Sequence, residues 1–342
     1  MGAYFARRAL LMIPTFLGIT LLVFTITRFV PGGPVDQMIM QVRMGGAGGE
    51  AGGSASGLES SVDIPEAALA SLKEHYHLDK SIVHAYFLWL GDLVTLDLGK
   101  SFKYNVPVLE LITSRFPVSM YFGLIGFLLA YCVCIPLGVF KAIRHTSRFD
   151  LTSSFVVFLG YSIPGWALGL LLLLLFGAEL DWFPLGGFRS PNWEELSFAG
   201  RVADQLEHTF LPVLAYAAGS FATLTILMKN SLMENLGQDY VRTAFAKGLP
   251  SNKVIFVHAL RNSLIPICTG LGHALGLIMA GSYLIEKVFN IDGIGYLGFS
   301  SIIDRDYAVV MGILVINTAL ILTGNILSDV LYVVFDPRIR FK

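Results

Sequence analysis

Three stretches of the chain carry residue types at spacings that do chemistry elsewhere, and each lacks a part. Gly99-Lys100-Ser101 ends like a phosphate-binding loop, in which backbone N–H groups and a lysine cradle phosphates. The leading glycine of such a loop is absent, because Val94 stands at its position. Gly160-Tyr161-Ser162-Ile163-Pro164 begins like a nucleophile elbow, but a proline replaces the trailing glycine. His75 and His77 are two apart and diverge on a helix, and His84 follows seven residues later. A zinc site needs converging ligands, and neither HExxH nor CxxC occurs. The three cysteines, two of them Cys132 and Cys134 inside an apolar run, give no disulfide framework. The expectation is a chain that is not an enzyme and binds no metal or cofactor itself.

Polar residues inside apolar runs are a second kind of candidate, because ionisable groups at membrane depth are costly and usually functional. His273 and Asn317 fall well inside two such runs. For His273, lining a pore and hydrogen-bonding a neighbouring helix are both open. Asn325 and Asp329 lie toward the end of the last run, where Asp329 is expected to cap a helix or pair with a basic neighbour. No carboxylates stand at mid-depth, where a proton-driven carrier would want them.

The elements that position these groups follow from composition. Of 342 residues, 54% are apolar and only 14% charged, the net charge is −1, and mean hydropathy is +0.66. Soluble domains carry about 25% charged residues, so a soluble enzyme, a disordered scaffold and a nucleic-acid binder are all disfavoured. A hydrocarbon core about 30 Å thick needs about 20 apolar helical residues. Six runs qualify: 9–30, 118–140, 152–176, 209–228, 263–285 and 309–334. The fold class is therefore an all-α membrane protein with six transmembrane helices. Arg7 and Arg8 precede the first run and Pro31-Gly32-Gly33-Pro34 follows it without a cleavage site, so residues 1–30 read as an uncleaved signal anchor. Thirteen Lys and Arg residues flank the runs on one side, against four in the short loops of the other. Basic residues stay inside, which places both termini in the cytoplasm.

A large external loop, 31–116, separates the first two spans. Within it, 45–57 holds seven glycines in thirteen positions, the composition of a flexible tether. Asp63 and Glu66 have the spacing of a capping box. Residues 83–98, with Tyr86, Phe87 and Trp89, suit either a helix on the membrane surface or a small lobe packed on the helix tops. The transmembrane core spans 117–334, and 335–342 is a cytoplasmic tail. Between spans four and five, 229–262 is a cytoplasmic helical hairpin punctuated by Gly237 and Gly248, with Pro250 suited to a new helix's first turn. Val254, Ile255, Val257 and Leu260 form an amphipathic stripe, which must meet this chain or a partner.

This hairpin, DYVRTAFAKGL over 239–249 and then HALRNSLIP over 258–266, resembles the EAA loop of ABC-importer permeases, in its peptide/nickel-uptake variant. The other marks agree in order along nearly the whole chain. They are Arg28 with Pro31-Gly32-Gly33-Pro34; Asp97-Leu98-Gly99 with Ser101; Arg115, Pro117 and Ser119; Glu286, Phe289, Gly293 and Gly295; Arg305-Asp306-Tyr307; and Asp336-Pro337-Arg338. Phe245 departs from the family's second arginine and Asp292 from the proline of its PGxG turn. With the glycine-rich insertion, the altered turn resembles the Yej-type subgroup, linked to oligopeptide and microcin C uptake.

The resemblance implies half of a translocation pore in a bacterial inner membrane. A second homologous permease supplies the other half, two ABC ATPase domains bind ATP and Mg, and a periplasmic solute-binding protein delivers substrate. It implies a coupling set of Arg242, Thr243, Ala244, Lys247, Gly248, Leu249, His258, Arg261 and Asn262. It also implies an external turn or gate built from Glu286, Asp292, Gly293, Gly295, Arg305 and Asp306.

Overall fold

The computed structural model describes residues 2–29, 80–268 and 281–335. Regular structure among them is helical, apart from an antiparallel bridge between Lys100 and Pro107. The helices are α1 (Gly2–Phe29), α2 (Ile82–Val94), α3 (Val108–Ile143), α4 (Arg148–Ser162), α5 (Gly165–Leu172), α6 (Phe198–Leu236), α7 (Asp239–Ala246), α8 (Tyr283–Val288), α9 (Ile294–Ile303) and α10 (Tyr307–Phe335). A π-helical turn, Leu173–Glu179, extends α5. Ser251–Lys253, the π-helical Val254–Ala259 and Leu260–Ser263 run on as one arm after α7.

Among the described residues, four helices are long and apolar enough to cross a membrane: Ala6–Phe29, Val108–Ile143, Phe198–Leu236 and Tyr307–Val330. Arg148–Ser162 and Gly165–Glu179 together make a fifth candidate, bent by 95°. The bend has a local cause. A residue before proline is pushed out of the helical region, and Ile163 is extended, with φ −98° and ψ 122°. Pro164 then caps α5. The span expected over 263–285 includes 269–280, which lies outside the described residues. The glycine tether, Asp63 and Glu66, His75 and His77, His273 and the Asp336-Pro337-Arg338 ending lie outside them too. At 36 residues α3 is about 54 Å long, well beyond a hydrocarbon core of about 30 Å.

The chain divides into two compact units, each assembled from separated stretches. The first comprises Met1–Met12, Ser114–Leu297 and Ile316–Lys342. Its helices approach closely at glycines, as expected where packing rather than water drives helix association. A Cβ on Gly138 would lie 2.6 Å from the Met228 Cβ of α6, and one on Gly165 would lie 2.6 Å from the Ala215 carbonyl oxygen. Gly165 and Gly169 form a GxxxG pair, and a Cβ on Gly169 would meet Phe289 at 2.9 Å. Asp329, buried on α10, pairs with Arg8 and accepts from the Tyr4 hydroxyl at 3.3 Å. That is the basic partner expected of a carboxylate near the end of a span.

The second unit comprises Ile13–Thr113 and Gly298–Val315. Its core is Phe24, Ala85, Tyr86 and Met311, with Trp89 and Leu90 packed alongside. The Tyr86 hydroxyl donates to the Leu17 carbonyl oxygen at 3.0 Å and lies 2.8 Å from the Thr20 hydroxyl. Thus α2 is bound to α1 along one face, while Val83, Phe87 and Val94 are exposed on the other.

Candidate functional site

The hairpin is built on α6. Met228 and Leu232 of α6 are fully buried against Val241 and Ala244 of α7 and Val254 and Ala259 of the second arm. The Ser231 hydroxyl donates to the Ser263 carbonyl oxygen at 2.9 Å. The stripe divides between this chain and the surface. Val254 and Ala259, five residues apart, are the buried pair, whereas Val257 is exposed beside Phe256. A π-helix has i→i+5 hydrogen bonds, and this widened turn carries Val257 outward.

The joint between the arms is a Schellman turn. Gly248 N donates to the Phe245 carbonyl oxygen at 2.9 Å, and Leu249 N donates to that of Ala244 at 3.3 Å. Gly248 has φ +75°, a conformation glycine adopts without cost. Leu249 packs on the same apolar cluster as Ala244, completing the motif. Pro250 sits just before the second arm as its cap, one position earlier than a first helical turn.

The coupling set therefore divides by face. Ala244 is buried, and Leu249 and His258 are half-buried, while Arg242, Thr243, Lys247, Gly248, Arg261 and Asn262 are exposed. Phe245 and Phe256 are also exposed among these cations.

A second arrangement centres on Glu286, which is fully buried on α8. Its Oε1 accepts from the Ser119 hydroxyl at 3.0 Å, the Tyr216 hydroxyl at 3.3 Å and Ser282 N at 3.3 Å. Its Oε2 accepts from Tyr296 N at 2.6 Å. The Ser119 oxygen in turn accepts from Ile294 N at 2.7 Å. Burial pushes the Glu286 carboxyl above the ordinary carboxylate range, and the backbone and hydroxyl donors pull against it. Glycines close the site. A Cβ on Gly293 would stand 2.5 Å from the Ser119 Oγ, and one on Gly295 would stand 2.7 Å from Tyr283 N. A Cβ on Gly281, which has φ +68°, would overlap the Glu286 carboxylate. Asp292, where the family's turn has proline, is exposed and accepts from Arg115 Nε at 2.7 Å.

The matching family model covers residues 134–341 and describes a "binding-protein-dependent transport system inner membrane component". The inner membrane ABC transporter permease protein YejB of Escherichia coli O157:H7 is 39% identical, over the whole of both chains. The peptidoglycan transport system permease protein YejB of Agrobacterium fabrum is 36% identical, over all of this chain and 99% of the relative. The oligopeptide transport system permease protein AppB of Bacillus subtilis is 35% identical, over the whole of both chains. The chain belongs to the family of binding-protein-dependent ABC permeases. It is accordingly a multi-pass inner-membrane protein and a transport component.

Other expected residues of this permease take separate places. Asp306, in the second unit, is buried and accepts from the Ser101 hydroxyl at 2.5 Å and from Lys103 N at 3.2 Å. Lys103 Nζ reaches Asp304 Oδ2 at 2.5 Å. The hydroxyl that mimicked a phosphate-binding serine is thus committed to a carboxylate. Arg305 is exposed, with φ +55°. Asn317 is half-buried on α10. Ser119 had already emerged from the permease resemblance, whereas Tyr216 is a donor to Glu286 that sequence reasoning missed. Nothing in the apolar run around Tyr216 marks it, because its partner is seventy residues away and arrives only by folding.

Proposed function

We propose that this chain is the pore-forming permease subunit of an ATP-driven, binding-protein-dependent importer of peptides. It pairs with a second homologous permease to form the pore. Two ATPase domains, which hold the ATP and Mg, grip the hairpin, and a periplasmic solute-binding protein delivers substrate. The observation that carries this reading is the hairpin's two-faced construction. One face is locked into α6 through Ala244, Leu249, Val254 and Ala259. The other displays Arg242, Lys247, Arg261, Phe245 and Phe256 at a glycine turn. A cationic and aromatic surface on a rigid arm suits an acidic protein groove. ATP-driven closure of the ATPases then moves the arm as a lever.

Relatives named for oligopeptide and for peptidoglycan transport support a peptide cargo. Within that class we assign oligopeptides, including peptide antibiotics of the microcin C kind. The cluster around Glu286 and Asp292 is the outer turn, held rigid against the moving spans. His273 and Asn317 supply polar groups within the pore or between helices. Affinity purification of the tagged chain from its own membrane should recover the second permease and the ATPase subunits together. Recovery of the chain alone, from mild detergent and without any P-loop subunit, would remove the basis of the assignment.

Topology is a separate expectation. Reporter fusions at residue 147 and at the C-terminus should read cytoplasmic, and one at residue 60 external. The cause is the Lys and Arg bias of the short loops. An external C-terminus would invert the hairpin and place it beyond reach of any ATPase.

A further inference from the structure

Lys141 and Lys229 belong to the basic flanks that set topology, yet neither simply faces water. Lys141, near the end of α3, is 1% exposed. Its Nζ donates to the Asp150 carbonyl oxygen at 2.8 Å, to Ser153 Oγ at 2.9 Å and to Ser154 Oγ at 2.7 Å, and lies 3.1 Å from Asp150 Oδ1. Lys229 of α6 donates to both carboxylate oxygens of Asp150, at 2.8 and 2.7 Å. Thr146 N donates to Oδ2 at 3.1 Å, and His145 Nδ1 stands 3.3 Å from it. Asp150 is itself 4% exposed, and it is the only carboxylate between Glu110 and Glu179. One buried anion thus joins the end of α3, the start of α4 and the last third of α6.

Where it joins α6 matters. Lys229 lies between Met228 and Leu232, the two fully buried residues on which the hairpin sits, and two residues before Ser231, which bonds the second arm. A long lysine side chain at a membrane boundary ordinarily stretches toward water. Here two of them turn inward, onto the same carboxylate. A buried ion pair is weak evidence for stability, since desolvation offsets much of its attraction, and fixing an arrangement is its better-attested use.

We propose that Asp150 is a positioning residue of the transport cycle. It makes the ends of α3, α4 and α6 move with the hairpin as one body, so that displacement of the hairpin reaches three membrane helices at once. This rests on the hairpin being the ATPase-driven lever.

The test uses the complete transporter, reconstituted in liposomes with its ATPases and binding protein. A radiolabelled oligopeptide mixture is the cargo, and peptide transported per ATP hydrolysed is the readout. Lys229→Gln cuts the tie to α6 while leaving the buried Lys141–Asp150 pair intact. Asp150→Asn combined with Lys141→Met removes every ion pair of the cluster without stranding a fully buried cation. Both variants should retain their ATPases and hydrolyse ATP, while peptide per ATP falls about tenfold, a loss within the usual range of coupling between sites. If both carry wild-type peptide per ATP, or if Asp150→Asn alone is impaired and Lys141→Met restores it, Asp150 is merely structural and the proposal is overturned. A wild-type transporter that moves no peptide with ATP would overturn the lever assignment itself, which separates the two failures.

Discussion

Aspartate in place of Gly248 is expected to leave an inserted permease that no longer takes up peptide. The structure separates the two effects of this change. No atom lies within 4 Å of a Cβ built on Gly248, so nothing has to move to admit a side chain. What remains is the backbone at φ +75°, where a residue with a Cβ costs about 1–2 kcal/mol. That is a strain on one exposed turn. The membrane helices, and the apolar seam between α6 and the hairpin, do not depend on it. The added carboxylate, in contrast, would sit beside Lys247 on the surface proposed to meet the ATPases and would oppose the acidic groove proposed there. Peptide uptake and ATPase co-purification should both fall to background while the amount of membrane-inserted protein stays near wild type. Gly248→Ala adds the strain without the charge and should lose only part of the uptake. If Gly248→Asp keeps full ATPase association and full uptake, the hairpin is a spacer.

The second large effect is expected at the Glu286 cluster, and it is on stability. Glu286→Ala removes an acceptor of two backbone N–H groups and two hydroxyls in a fully buried place, although Ser282 N keeps the Tyr216 hydroxyl as an acceptor at 3.1 Å. A buried polar group left without a partner costs about 1–3 kcal/mol. A loss of several kcal/mol, a large part of a typical margin of about 5–15 kcal/mol, is therefore expected. Gly295→Ala should also destabilise, because its Cβ would press on the Tyr283 and Ser282 backbone at 2.7 and 2.8 Å, which cannot rotate away. Overpacking of this kind costs about 1–3 kcal/mol. Cysteine exposure on heating provides the measurement. Cys134 and Cys268 are buried and Cys132 is exposed, so a thiol-reactive dye reports melting as added signal above the Cys132 baseline. Both variants should melt well below wild type in detergent. Unchanged melting of Glu286→Ala would mean that the carboxylate is dispensable to the turn.

What the sequence could disclose follows from the range of the forces involved. The apolar runs marked α1, α3, α6 and α10, because lipid imposes a length and a composition that are local. The turn at Gly248 was also local. Lysine, glycine, leucine and proline in succession specify the end of one helix and the start of the next. Pro136 and Pro164 both lie in apolar runs, yet only at Pro164 do two helices part, by 95°. Proline alone did not distinguish them. The winding of 254–259 escaped entirely, because a π-helix has no composition of its own. The sequence pattern reads as a single stripe meeting this chain or a partner, whereas the π-helical turn buries Val254 and leaves Val257 exposed. Asp150 was hidden for a different reason. Lys141, Arg144, Arg148 and Lys229 were fully accounted for by topology, and the lone carboxylate among them gained its partners only when α3, α4 and α6 came together. The family resemblance pointed to Glu286, its glycines and Ser119, but not to the Tyr216 hydroxyl or the backbone N–H groups that also make a buried carboxylate tolerable there.

The most direct measurement of the assigned activity is oligopeptide uptake into proteoliposomes, with components added one at a time. The expected result is uptake only when this chain, its permease partner, both ATPase domains, ATP with Mg and the loaded binding protein are all present. Uptake by this chain alone, driven by a proton gradient and indifferent to ATP, would contradict it and identify a self-sufficient secondary transporter.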